Sequence, residues 1–144
     1  MELWVPVWYQ WDNMNPIGLT LPLQIGRNGY FEQSYDTLTQ VKANITNLLR
    51  TKKGERRMNP NFGSGLQEYL FEQNLQDSPD IVKQIITDEI TNYVPGVTVN
   101  KVDIGISNQE KNELTDSYIL YIKIQFTVNN QTDTLNLTVN QNNI

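Results

Sequence analysis

YILYIKIQFTVNNQTDTLNLTVN, residues 118–140, decides the fold class. Tyr118, Leu120, Ile122, Ile124, Phe126 and Val128 alternate with Ile119, Tyr121, Lys123, Gln125 and Thr127, the period of a strand with one buried face. Asn129-Asn130-Gln131 interrupts the run with residues that accept turn conformations. Leu135, Leu137 and Val139 then resume it in a last strand, Thr134–Asn140. Thr, Asn, Gln and Lys occupy the opposite positions, as on a sheet with one wet face. Upstream, Val97 and Val99 share one phase while Val102, Ile104 and Ile106 take the other, which predicts a bulge near Asn100-Lys101. SNQEKNELTDS, residues 107–117, reads as a polar loop, and the terminal NQNNI as a frayed end. Residues 97–144 are therefore expected to form a three-stranded antiparallel meander.

Further back, residues 34–94 carry helical periodicity. Ser34 can cap a first helix whose Tyr35, Leu38, Val41, Ile45, Leu48 and Leu49 fall at three- and four-residue spacing, with Gly54 ending it. A second helix is predicted over Ser64 to Asn74, with Leu66, Tyr69, Leu70 and Leu75 as its apolar side. A third opens at Asp77-Ser78-Pro79, buries Ile81, Val82, Ile85, Ile86, Ile90 and Tyr93, and ends at Pro95-Gly96. Residues 17–33 read as a β-hairpin. Leu19, Leu21, Leu23 and Ile25 alternate, Asn28-Gly29 is a hairpin turn signal, and Pro22 marks an edge strand. Residues 1–16 form an extended aromatic arm broken by Pro6 and Pro16. The class is α+β: an N-terminal hairpin, three helices and the meander, with residues 17–144 as one domain behind the arm.

Composition narrows the function. The 144 residues suffice to bury about two thirds of the unfolded chain's surface. Hydrophobic residues are 38% and charged residues 19%, and the shortfall is made up by 18 Asn and 12 Gln. Cysteine and histidine are both absent, which removes disulfides, thiolate or imidazole metal sites and histidine-dependent triads. The longest apolar run, Leu3–Tyr9, is seven residues long and contains Pro6, so no membrane span is expected. No basic residue precedes it, so no secretory signal is expected either. A net charge of −5 disfavours nucleic-acid binding over the whole surface.

Catalytic constellations are thin. Glu68 and Glu72 would share a helix face, and Asp88 and Glu89 are adjacent, but a glycosidase needs two carboxylates across a cleft, and helical i,i+4 glutamates ordinarily face solvent. Asp77-Ser78-Pro79-Asp80 lacks the glycine and terminal glutamate of a calcium loop. Gly63-Ser64-Gly65 could meet an anion at a helix start, yet helix entry by small residues explains it equally well. The sequons at Asn44, Asn130 and Asn136 lack any sign of secretion. Neither catalytic residues nor a cofactor are expected.

Two features suggest docking instead. Arg50, Lys52, Lys53, Arg56 and Arg57 put five of the eleven cations into eight positions at the end of the first helix. They complement the helix dipole, and they could also meet an acidic partner. Nucleic acid is less suited, since no stacking aromatic is interleaved. Trp4, Trp8 and Trp11, the only tryptophans, lie in the arm, where they read as anchors that order on a partner.

Residues 48–72, LLRTKKGERRMNPNFGSGLQEYLFE, resemble the signature of the phage-T4-type baseplate wedge and sheath-initiator family, which has relatives in type VI secretion baseplates and other contractile injection devices. The matching residues are Leu48, Leu49, Thr51, Gly54, Glu55, Arg56, Pro60, Phe62, Gly63, Leu66, Leu70, Phe71 and Glu72, and the resemblance covers about residues 17–140. Relatives often carry Glu-Pro-Arg at the end of the third helix, where they dock to central wedge proteins. Here the stretch is Val94-Pro95-Gly96, so Pro95 stays and both charges are gone. The resemblance implies a non-enzymatic virion component in the tail baseplate, made in the host cytoplasm and present in six copies. Its partners would be other wedge and hub proteins and the tail sheath protein, with neither nucleic acid nor membrane. It also implies that Thr134, Leu135, Asn136, Leu137, Thr138, Val139 and Asn140 form a strand to which sheath strands are added. A peptidoglycan hydrolase, from the lysozyme label the family has carried, and the same subunit in a secretion baseplate are the alternatives. Within the motif, Phe62 is expected as a core anchor, and Glu55 and Arg56 as charges that meet a partner.

Overall fold

The computed structural model describes residues 15–26, 30–66, 79–110 and 116–140. The chain divides into two compact units, Met1–Ala43 and Asn44–Ile144, with the boundary inside a helix. The class is α+β.

In the first unit, strands β1 (Gly18–Leu19) and β2 (Gln33–Ser34) pair antiparallel. Ile17 N donates to Ser34 O at 2.8 Å and Thr20 N to Glu32 O at 3.1 Å, and Ile25 bridges Phe31 farther along. The expected hairpin is thus present but interrupted: the chain bends at Leu21–Pro22, where proline has no N–H to give. Its alternating residues do not build a core, because Leu19, Leu23, Ile25 and Phe31 are all exposed. The turn expected at Asn28-Gly29 and the arm of residues 1–14 lie outside the described residues.

Helix α1 runs Thr37–Arg50. Its cap is Asp36, whose Oδ2 accepts from Thr39 N at 3.2 Å, and not Ser34 as expected. Ser34 is committed to β2 opposite Gly18 and is buried, donating its hydroxyl to Asp36 O. Val41, Ile45, Leu48 and Leu49 form the buried stripe.

In the second unit, helix α2 (Pro79–Tyr93) starts on proline as expected. Val82, Ile86 and Ile90 are its buried line, while Ile81, placed there from the sequence, is 48% exposed. It sits one residue, about 100° of helical rotation, off that line. Gly96, at φ 81°, turns the chain into the sheet. The sheet order is β3 (Val97–Glu110), β4 (Asp116–Val128), β5 (Gln131–Asn140), antiparallel throughout. The predicted bulge is present. Val97 and Val99 face Val128 and Phe126, the register shifts between Val99 and Lys101, and Val102 and Ile104 then face Ile124 and Ile122. One extra residue therefore keeps both valine phases on the core side. Asn129 and Asn130, at φ 48° and 63°, make the two-residue turn into β5.

Two expectations about the strands change. The polar loop assigned to residues 107–117 is mostly ladder: β3 continues to Glu110 and β4 starts at Asp116, with Gln109 paired to Ser117. Likewise β5 starts at Gln131, three residues before the strand predicted from Thr134. In both places the backbone ladder outruns the apolar core, so hydrophobic period gives no sign of it. The helix expected over Ser64–Asn74 lies outside the described residues beyond Leu66, and two helices are present among the described residues. Val82, Ile86 and Ile90 of α2 and Leu120, Ile122, Ile124, Phe126, Val128 and Leu137 of the sheet are buried, and α2 packs on β3.

Candidate functional site

The signature residues build a loop that is closed on itself. α1 ends at Arg50, and Thr51 stays attached to it: Thr51 Oγ1 donates to Asn47 O at 2.7 Å. Thirteen residues later the chain returns. Ser64 N donates to Thr51 O at 2.9 Å, and the buried Ser64 hydroxyl donates to Leu49 O at 2.7 Å, taking up a carbonyl that the helix end leaves open. Inside this base, Gly54 N donates to Pro60 O at 2.8 Å, and Lys52 N donates to Glu55 Oε2 at 3.0 Å. Gly63, at φ 121°, lies against the Thr51–Lys52 backbone, where a Cβ would fall 2.5 Å from Thr51 O. Only glycine fits there.

Phe62 is not the expected core anchor. It is half-buried, with the Arg56 guanidinium 3.9 Å from its ring centre and the Tyr93 ring edge-on at 5.4 Å. Arg56 Nη2 also donates to Asn47 Oδ1 at 3.2 Å, and the Tyr93 hydroxyl donates to Asn61 O at 2.7 Å. Lys53 makes an ion pair with Glu89 of α2, a carboxylate that is almost buried. Sequence reasoning missed Asn47, Tyr93 and Glu89 as supports of this loop. Tyr93 reads from the sequence only as part of the α2 stripe, and nothing local marks the other two.

The basic cluster therefore divides. Lys53 and Arg56 are engaged within the fold. Arg50, Lys52 and Arg57 are exposed, without a carboxylate partner among the described residues, and Met58 beside them is 99% exposed. Glu55, expected at a partner, and Thr51, of the same motif, bond to backbone groups of this region instead. Pro95 is exposed in the turn after α2. Leu70, Phe71, Glu72, Glu68 and the tryptophans Trp4, Trp8 and Trp11 lie outside the described residues.

The acids do not assemble into a catalytic pair among the described residues. Glu89 is committed to Lys53, Asp88 is exposed on α2, and Asp80 pairs with Lys83 one turn away. Gly63-Ser64-Gly65 is no anion cradle, because Ser64 N and Oγ are both spent on carbonyls. No group of three potential metal-binding side chains occurs among the described residues, and no helix there is long and apolar enough to cross a membrane.

The second surface is the sheet edge. β5 pairs with β4 from Gln131–Val128 to Asn140–Ile119, and its other side has no strand among the described residues. The pair that closes a two-residue turn exchanges both hydrogen bonds, and such pairs recur at every second residue. Residues 131, 133, 135, 137 and 139 therefore bond to β4. Thr132, Thr134, Asn136, Thr138 and Asn140 direct N–H and C=O groups outward. Leu137 is buried on the core side, whereas Asn136 and Thr138 are exposed on the other.

Comparison with known proteins gives the same family as the signature. The family described as baseplate wedge protein gp25 matches residues 36–133. Baseplate wedge protein gp25 of Enterobacteria phage T4 is 29% identical over 91 residues, a match spanning 63% of this chain and 64% of that protein. In fold, the chain resembles a subunit in the cryo-EM structure of the anti-feeding prophage baseplate, with a TM-score of 0.59 and 19% identity over 78% of this chain and 85% of the other. It also resembles a Geobacter sulfurreducens protein described as a candidate tail lysozyme, with a TM-score of 0.54 and 22% identity over 73% of this chain and 89% of the other. With the family matched over more than half its length, this chain belongs to the baseplate wedge protein gp25 family.

Proposed function

We propose that the chain is a structural subunit of a contractile-tail baseplate, without catalytic activity, that docks to other wedge and hub proteins and templates the first strands of the tail sheath. The family membership supports a place in the tail baseplate of a virion or a prophage-derived particle. The observation that carries the templating role is the outer edge of β5, with five consecutive outward-facing backbone positions bearing no lysine, proline or acid. Asp133 is the one charge in β5, and beyond it Thr134–Asn140 lacks the lysine, proline and acid that normally block strand addition.

The sheet's opposite edge differs. β3 is kinked by its bulge and carries the exposed Lys101–Asp103 ion pair, and α2 packs on it. The bulge and the charged pair discourage a further strand. An incoming strand on β5 would extend a face that already holds Leu135, Leu137 and Val139, so alternating apolar and polar side chains suit it. Six copies per baseplate, as the family resemblance implies, would offer a ring of six such edges.

Asn136→Pro is the test. Residue 136 directs its N–H away from β4, so proline there removes a donor from the template while the internal ladder stays complete. Cells producing the particle with this variant should yield baseplates that contain the subunit but carry no sheath. Sheaths of normal length would exclude the β5 edge as template. The hydrolase reading draws on the likeness to the Geobacter protein. A cell-wall turbidity assay separates the two, and lysis abolished by Glu68→Gln/Glu72→Gln would overturn the structural assignment.

A further inference from the structure

We infer that the tip of the loop between Thr51 and Ser64 is a preformed docking knob for an acidic protein surface with an apolar notch, reached through Lys52, Arg57 and Met58 with Arg50 beside them. The inference rests on the baseplate assignment for its setting but on separate residues for its content.

Charge is the first observation. Over residues 50–58, five cations and one acid give +4, so the rest of the chain carries −9 of the total of −5. A single positive pole on an otherwise acidic protein orients it towards an acidic partner and repels the same partner everywhere else. The same −9 opposes a phosphate backbone. Among the described residues, the loop's own aromatic side chain, Phe62, has one face taken by Arg56 and a T-shaped contact with Tyr93, which leaves it poorly placed for base stacking.

Rigidity is the second. The loop's base is closed by the Ser64 and Gly54 hydrogen bonds, its first turn is held by Glu55, and Tyr93 ties Asn61 to α2. A surface held in this way loses little conformational freedom on binding. The third observation is which residues remain after this bracing. Lys53 and Arg56 are consumed internally, whereas the side chains of Lys52, Arg57 and Met58 are exposed and make no hydrogen bond or ion pair among the described residues. An almost fully exposed methionine next to a forked cation is the composition of an interface anchor with a charged rim.

The test is the double variant K52Q/R57E in the full-length chain, produced in cells that assemble the particle. Both side chains are exposed and make no hydrogen bond or ion pair among the described residues, so the thermal unfolding midpoint should match the wild type. Uptake into purified baseplates, measured by quantitative mass spectrometry, should fall about tenfold or more. Met58→Ser should lower uptake without any change of charge, and Arg57→Lys should retain most of it. Normal uptake of K52Q/R57E would overturn the inference while leaving the β5 template intact, because Asn136→Pro acts on sheath growth after uptake. Absence of the wild-type chain from the particle would overturn both readings. Tight binding of the wild type to 30-base-pair DNA, lost in K52Q/R57E, would assign the loop to nucleic acid and overturn the acidic-protein partner.

Discussion

Gly63→Ala is the sharpest single challenge to the account of the signature loop. The residue sits at φ 121°, outside the region open to alanine, which costs about 1–3 kcal/mol wherever it occurs. A Cβ would also fall 2.5 Å from Thr51 O and 3.0 Å from the Lys52 carbonyl carbon, and these are backbone atoms with no rotamer to yield. The chain must move apart at the point where Ser64 N bonds Thr51 O and Ser64 Oγ bonds Leu49 O. Each of those is worth about 1 kcal/mol, with a further penalty if the Leu49 carbonyl is left buried and unpaired. The total loss should be about 3–5 kcal/mol, a large part of an ordinary domain's stability. Gly54→Ala is the internal control. Its φ of 86° imposes a comparable conformational cost, but nothing lies within 4 Å of its Cβ. It should lose about 1–2 kcal/mol, close to the conformational cost alone. Urea titrations followed by far-ultraviolet circular dichroism give both values. Equal losses in the two variants would mean that the Thr51–Gly63 contact does not hold the loop.

Two further substitutions test the supports of the same region. Glu89→Gln breaks the ion pair to Lys53 while keeping the side chain's shape, and because Lys53 is 47% exposed its ammonium stays hydrated, so the loss should be about 1 kcal/mol by denaturant titration. Asp36→Ala removes the cap at Thr39 N and should cost about 1 kcal/mol, whereas Asp36→Asn, which still accepts, should cost less.

What was legible in the sequence followed the apolar periods. The meander was readable because Leu120 to Val128 alternate without a break and are buried as read, and the bulge because the valine and isoleucine phases disagree across Asn100. α2 was readable for the same reason through Val82, Ile86 and Ile90, although Ile85 and Tyr93 are only half-buried and Ile81 falls off the line. Where polar residues carry the structure, the sequence is mute. SNQE and DS pair as strands because the backbone ladder needs no side chain, and QTD opens β5 in the same way. The hairpin misleads in the opposite sense: its residues alternate as a buried strand should, yet Leu19, Leu23 and Ile25 are exposed. Alternation reports one apolar face, and says nothing about what covers it.

The loop and the β5 edge solve opposite problems with the same groups. In the loop, Thr51, Gly54, Glu55, Arg56, Phe62, Gly63 and Ser64 turn their polar atoms and rings on one another, so the signature specifies a shape. At the edge, the backbone of Thr132 to Asn140 is left half-satisfied, which water tolerates and another strand can complete. It follows that a substitution at a signature residue damages the fold before it damages docking. Arg56→Ala would lose a ring contact and the bond to Asn47 together, so failure of that variant to assemble would not identify Arg56 as a contact residue. Groups that hold nothing in the fold, the side chains of Lys52, Arg57 and Met58 in the loop and the outward N–H of residue 136 at the edge, are where loss of assembly with unchanged stability reports a partner.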